Sequence, residues 1–198
     1  TCTRVTALQE NLFNLEVLRN LAACDVFFGC MDSVDGRDLL NRLATFYLIP
    51  YFDLGVRLDA DGQGGVNVVC GSVHYLLPGG SSLLSRVVYT PEALRVANLR
   101  RANPTQFASE MAEGYIKGVK VDSPAVISVN GLCATLAVNN LLARLHPFRM
   151  EATSASRHEW FDLVNGIFGS GDGGAPCRVL HRYAGRGDME PFMDCYIE

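Results

Sequence analysis

The residues best placed to do chemistry lie just past Cys24. The apolar run Val26-Phe27-Phe28-Gly29-Cys30-Met31 stops abruptly at Asp32, and Ser33, Asp35 and Arg37 follow within a few positions. A short apolar run without alternation fits a strand covered on both faces, as in parallel sheets. From Gly36 to Leu48, Leu39, Leu43 and Tyr47 share one stripe, so a helix follows the strand. Open parallel sheets bind ligands beyond the carboxyl ends of their strands, and Asp32 stands at such an end. The helix aims its free N–H groups and positive dipole end at the same place, which favours a phosphate or carboxylate there. A carboxylate beside a phosphate needs a cation between them, and Mg²⁺ held with a nucleotide is the economical choice. The competing reading is that Asp32 or Ser33 caps the helix, a position both residue types favour. Spacing leaves the two readings open.

The elements that must position these residues form a repeating unit. Residues 3–8 (TRVTAL) are β-branched and apolar, the pattern of a short strand, and Asn14 can cap a helix to Ala23 with Leu15, Leu18 and Ala22 at helical spacing. Together with the strand at 26–31 and the helix at 36–48 this gives β-α-β-α. After Pro50, residues 51–58 and 66–77 read as two strands separated by turn signals in DADGQGG, an antiparallel extension of the sheet. Pro78-Gly79-Gly80 breaks that pattern and opens a mostly helical excursion over 79–122, including a helix from Pro91 that Asn103-Pro104 ends. Ser123-Pro124 supplies a cap and first-turn proline for a helix running to about Leu145, apolar nearly all round and therefore expected to be buried. Beyond Pro147 the sequence predicts a helix around Trp160 to Ile167, a flexible turn at GSGDGG (169–174) and a strand-like RVLHRYAG.

Composition narrows the classes. The 198 residues are 48% hydrophobic and 19% charged, an ordinary globular balance, and the formal net charge of −4 offers no overall attraction to nucleic acid or anionic lipid. No apolar stretch reaches the length of a membrane span and no charged-then-apolar leader opens the chain. Seven cysteines, an odd number sitting mostly in apolar runs, point to free thiols in a reducing, cytoplasmic setting. The chain begins at Thr1 without methionine and reads as structured by Val5, so it looks like a piece of something longer. The four histidines show no metal-ligand spacing, His74 reads as a strand residue, and Arg186-Gly187-Asp188 reads as a chance adhesion tripeptide.

The order of these features resembles the ThiF family, the adenylating enzymes related to ubiquitin-activating enzymes. That family carries a strand ending in Asp, a small polar residue next, an Arg five after the Asp and an Asn four after that; this chain has Asp32, Ser33, Arg37 and Asn41. VTALQENL (5–12), IPYFDLGVRL, GQGGVNVV and SPAVISVNGLCATLAVNNLLARL (123–145) resemble the surrounding strands and long returning helix, so the likeness spans residues 3–146. It implies the C-terminal half of a Rossmann-like α/β adenylation domain over 1–146, with parallel strands, an antiparallel extension, a helical crossover at 79–122 and a long buried helix; 147–198 is left as a C-terminal α+β extension. The implied activity is ATP-dependent adenylation of the C-terminal carboxylate of a ubiquitin-like or sulfur-carrier protein. Asp32 would be the catalytic ligand of Mg²⁺ on ATP, Ser33 would lie against the nucleotide, and Arg37 and Asn41 complete the implied nucleotide-contacting set.

The departures are as informative. The family's nucleotide-binding glycine loop and its phosphate-contacting Arg and Lys lie in a preceding half-domain that this sequence lacks, so the chain alone is expected to be inactive. GSGDGG cannot stand in, because a phosphate loop needs a strand before it and a helix after. Where many relatives place the first C-x-x-C pair of a structural zinc site, this chain has Ser82-Leu83-Leu84-Ser85, and no second pair exists, so zinc is not expected. Residues 71–132 contain no cysteine for thioester transfer, and Cys70 and Cys133 read as core. Two alternatives stand beside this one. The chain is a non-catalytic binding or dimerisation module, with an unpaired sheet edge favouring a homodimer, or it belongs to another open-sheet nucleotide enzyme.

Overall fold

The computed structural model describes residues 2–61, 63, 65–113, 116 and 126–189. Asn14 caps helix α1 (Leu15–Ala22), its side chain accepting from the Glu16 N–H at 2.9 Å, and α1 buries Val17 and Leu18. Strand β1 (Phe27–Gly29) leads to α2 (Val34–Phe46), which ends in a tight reversal: Leu48 takes a left-handed φ of 60° and the Ile49 N–H bonds back to the Ala44 carbonyl at 2.8 Å. That pairing closes the open carbonyls of the last turn and feeds the chain directly into β2 (Tyr51–Ala60), parallel to β1. At the following hairpin Asp61 accepts from the N–H groups of Gln63 and Gly65, and β3 (Val66–Leu76) returns antiparallel.

Helices α3 (Pro91–Ala102) and α4 (Pro104–Ala112) meet at Asn103, which ends the first and caps the second through the Gln106 N–H at 3.1 Å. Helix α5 (Ile127–Leu145) crosses β2 and β3, and β4 (His158–Asp162) and β5 (Ile167–Gly171) complete a single mixed sheet in the order β1-β2-β3-β4-β5. Among the described strands only β1 and β2 are parallel. The chain thus has a Rossmann-like α/β architecture with helices on both faces. Alternation along β2 and β3 divides the core: Tyr51 and Leu76 pack with Phe27, Leu39, Leu43 and Phe46 beneath α1 and α2, while Phe52, Val73 and Tyr75 pack with Phe161 and with Val129, Cys133 and Ala137 of α5.

Five expectations are corrected. Residues 3–8 are exposed and form no strand, since β-branched propensity produces a strand only where a neighbour accepts its hydrogen bonds, and the described sheet ends at β1. Trp160 to Ile167 is not a helix but the heart of the β4–β5 hairpin. The Asp162 carboxylate accepts from Val164 and Asn165, Gly166 supplies the φ of +66°, and Trp160 lies over Gly169, where an added methyl would come within 2.4 Å of the ring. GSGDGG therefore begins inside β5, and RVLHRYAG contains a short 3-10 turn at His181–Tyr183 rather than a strand. Helix α5 is buried on one stripe only, and its expected cap at Ser123-Pro124 lies outside the described residues. No described helix is long and apolar enough to cross a membrane.

Candidate functional site

Asp32 stands just beyond β1 and one residue before the cap of α2. Ser33 takes the capping role, its hydroxyl accepting from the Gly36 N–H at 3.2 Å. Asp32 is thereby released from that work: it is exposed, with no hydrogen bond or ion pair among the described residues. Gly36 also permits the first turn to sit close, because a methyl there would come within 2.6 Å of Met31.

Arg37 turns inward from the same turn onto Asp53 of β2, the residue paired with Gly29 across the parallel strands. Its Nε donates to Asp53 Oδ1 at 3.0 Å and its Nη2 to Oδ2, a two-pronged contact, and the buried Tyr51 hydroxyl donates to Oδ1 at 2.7 Å. Asp53 is 0% exposed, so three donors replace the water it has lost. Burial works to lower the Arg37 guanidinium, but the hydrogen-bonded Asp53 outweighs it and holds the cation above its ordinary value. Burial, reinforced by Asp53, pushes the Tyr51 phenol well up, keeping it a donor. Two glycines make the room. A methyl on Gly29 would lie 2.5 Å from the Tyr51 hydroxyl, and one on Gly55 would lie 3.2 Å from the Arg37 guanidinium.

The rest of α2's polar flank is tied to the excursion. Arg101 of α3 reaches Asp35 at 3.2 Å while stacking on the Phe13 ring at 4.1 Å, and Tyr89 donates to Asp38 at 2.6 Å. Asn41 is buried, its Oδ1 accepting from the Leu83 N–H at 3.2 Å and its Nδ2 without a partner in the structure. Ser82 and Ser85 in that loop bond to each other's backbone N–H groups. Of the four residues the sequence singles out, Asp32 and Ser33 therefore share the open strand end, Arg37 forms the layer beneath, and Asn41 anchors a loop.

Sequence reasoning misses Tyr51 and the pairing of Asp53 with Arg37. The signal available was an acid inside an otherwise apolar strand start, Tyr51-Phe52-Asp53-Leu54, with an arginine one helix earlier. The register continues the polar row from Asp53 to His74 and His158, whose rings stack at 4.2 Å. Arg86 lies 3.4 Å from His74 Nδ1 and donates to the carbonyls of Arg157 at 2.9 Å and Tyr75 at 2.8 Å. Burial, then His158, Arg86 and Arg37, push His74 down to about 2, and burial and Arg86 lower His158, so both imidazoles are neutral at pH 7.

Chemically, the strand end offers one exposed carboxylate, Asp32. Burial, then Asp53 and Asp32, raise the Cys30 thiol, so the site disfavours a thiolate nucleophile. Burial likewise pushes Cys133 up to about 11, an inert core thiol. Magnesium binds through one or two carboxylates and completes its shell with water and phosphate oxygens. A single exposed aspartate at a helix N-terminus fits that demand. Among the described residues no group of three or more His, Cys, Asp or Glu could hold a metal by itself. Comparison of the chain with protein-family models and with curated proteins finds no match.

Proposed function

We propose that the chain is part of a ThiF-type adenylating enzyme that uses Mg-ATP to activate the C-terminal carboxylate of a ubiquitin-like or sulfur-carrier protein, working in the cytoplasm as a homodimer. The observation that carries this reading is the freedom of Asp32: Ser33 does the capping, and a carboxylate with no partner among the described residues is left at the end of β1. Magnesium bound there would stabilise negative charge developing on the polyphosphate. Asp32 would hold that ion, the α2 N-terminus would offer backbone dipoles to a phosphate, and Arg37, fixed by Asp53, would keep the turn from shifting. The described free cysteines suit a reducing compartment.

The test is ATP–pyrophosphate exchange by the intact protein with a Gly-Gly-ended carrier, compared with Asp32→Ala. Exchange should fall by about two orders of magnitude or more, the scale for losing one group that stabilises transition-state charge. Undiminished exchange in the variant removes Asp32 from the chemistry. A second reading, a non-catalytic binding module, is favoured by one observation, the uncovered apolar face of α5. The third alternative, another open-sheet nucleotide enzyme, would share the Asp32 site and differ in showing no exchange.

A further inference from the structure

The start of β4 gathers positive charge that the described residues do not offset. Arg157, the residue before β4, is half-buried; its Nε is shut off from water without a hydrogen-bond partner, and its guanidinium makes no hydrogen bond or ion pair among the described residues. The backbone of Arg157 does the structural work instead, its carbonyl accepting from the Tyr75 N–H at 2.7 Å and from Arg86 Nη1 at 2.9 Å. Two further arginines close on the same segment. Arg86, from the loop after β3, directs its other nitrogens to Ser81 Oγ at 3.0 Å and the Tyr75 carbonyl at 2.8 Å. Arg144 of α5 reaches the Ser156 carbonyl at 3.0 Å and Asn140 Oδ1 at 2.8 Å. Neither forms an ion pair among the described residues.

The acids nearby are already engaged. Glu159 accepts from Arg149 Nη1 at 2.6 Å and from Asn140 Nδ2 at 2.5 Å, and exposed Asp172 accepts from the Gly174 N–H at 3.0 Å. Asp53, which also acts on Arg86, is matched by Arg37. Arg86, Arg144, Arg149 and Arg157 set against Glu159 and Asp172 leave two positive charges in excess. The arginines press on one another: burial, then Arg157, lower Arg86 to about 10, and burial, with Arg157 and Arg149, lowers Arg144 against the pull of Tyr75 and Glu159. A half-buried guanidinium normally meets an anion, because charge taken from water and left unmatched costs stability.

We propose that Arg157 is the contact residue of a phosphate-binding site at the start of β4, taking a doubly charged phosphoryl group, either the free ion or a monoester. The excess of two charges selects a dianion, since a single carboxylate would offset only half of it. The planar fork of Arg157 matches two oxygens of such a group, while Arg86 and Arg144, held by carbonyls, contribute field rather than donors. The stacked His74 and His158 beside Arg86 are neutral and bring no competing anion. The loop after β5 packs against both arginines: Gly173 takes a φ of +78°, and a methyl there would collide with the Arg86 guanidinium and come within 3.1 Å of Arg157 Cβ. In the sheet order β4 stands three strands from β1, whose end carries Asp32, and the proposal does not rest on the adenylation reading.

The experiment is isothermal titration calorimetry of the 198-residue chain with inorganic phosphate at slightly alkaline pH, ionic strength being held constant with sodium chloride, and thermal unfolding in the same buffers. Wild type should bind phosphate saturably and melt higher as the site fills. Arg157→Met should weaken that binding about tenfold or more, because charge-assisted hydrogen bonds are lost. In chloride alone the same variant should melt no lower than wild type, since it removes repulsion and leaves the carbonyl contacts of residue 157 in place. It also controls for the general stabilisation that excluded phosphate gives any folded chain. Absence of saturable binding by wild type overturns the proposal, and so does an Arg157→Met that binds as tightly. A marked loss of stability by Arg157→Met in chloride overturns it too, by making the guanidinium structural. Acetate bound as tightly as phosphate overturns the choice of a dianion. Phenyl phosphate bound as well as inorganic phosphate supports the site and identifies a monoester ligand; binding of inorganic phosphate alone supports it and identifies the free ion. None of these readouts involves pyrophosphate exchange, so failure here leaves the Asp32 assignment untouched.

Discussion

Helices α2 and α5 cover opposite faces of the same sheet with opposite chemistry. On its sheet-facing and loop-facing sides α2 buries Asp35, Asp38 and Asn41, and sends Arg37 down to a carboxylate with no access to water. Each buried acid is matched to a donor from a different element, Arg101 for Asp35, Tyr89 for Asp38 and Arg37 for Asp53, and Tyr51 of the same strand adds a further donor to Asp53. Helix α5 instead contacts the sheet through Val129, Cys133, Ala137 and Ala143, with Asn140 as its one buried polar side chain, bonded to the Ser156 carbonyl at 2.8 Å. Apolar contact is forgiving of small shifts, whereas paired buried charges tolerate few arrangements. The α2 side is therefore the one built to hold a turn in fixed geometry, and that turn is the one carrying Asp32.

The contrast breaks first at Asp53. Asp53→Ala leaves Arg37 buried without a counter-ion and Tyr51 without an acceptor, so unfolding free energy should drop by about 3–5 kcal/mol. Urea denaturation measures it. A loss no larger than that of an exposed substitution would mean that the Arg37 contact is incidental and that the two faces do not differ as argued.

Acid sharpens the same difference, because the polar row reaches His74 and His158. Unfolded, His74 titrates near 6.5; folded, it is held down to about 2. Between those values the unfolded chain binds more protons, so the contribution is whole above pH 6.5 and is lost as pH falls. His158, lowered in the same direction by burial and Arg86, adds to it. The slope from His74 alone approaches about 1.4 kcal/mol per pH unit. Stability measured from pH 7 to pH 4.5 should show it, and His74→Gln should flatten the curve. An equal slope in the variant would place the acid sensitivity elsewhere.

What the sequence revealed follows the range of the forces involved. The β1–α2 junction was legible because an apolar run and a 3.6-residue stripe are local signals, and so was the Asn103 boundary between α3 and α4. The antiparallel pairing of β2 and β3 was legible from the turn residues after Ala60. Asp53 was not, because its partner is sixteen residues away in another element and only the fold brings them together. The β4–β5 hairpin was missed because Trp160, Phe161, Leu163, Val164 and Ile167 mimic a helical apolar spacing. The decisive cue was the Asn165-Gly166 turn. Residues 3–8 and α5 failed in complementary ways: strand propensity without a neighbour made no strand, and a helix apolar all round was covered on one side.

The smallest predicted effect separates two adjacent residues at the strand end. Ser33 caps α2 through the Gly36 N–H at 3.2 Å, so Ser33→Ala leaves a first-turn donor without its side-chain acceptor and should cost about 1 kcal/mol of stability. Asp32 is exposed and pairs with nothing described, so Asp32→Ala should change stability by no more than about 0.5 kcal/mol. Thermal unfolding of the two variants side by side distinguishes them. If Asp32→Ala is destabilised as much as Ser33→Ala, the carboxylate has a structural task and its freedom to hold a cation is lost as an argument. If it alone leaves the melting temperature in place, any accompanying loss of pyrophosphate exchange is a loss of chemistry rather than of fold.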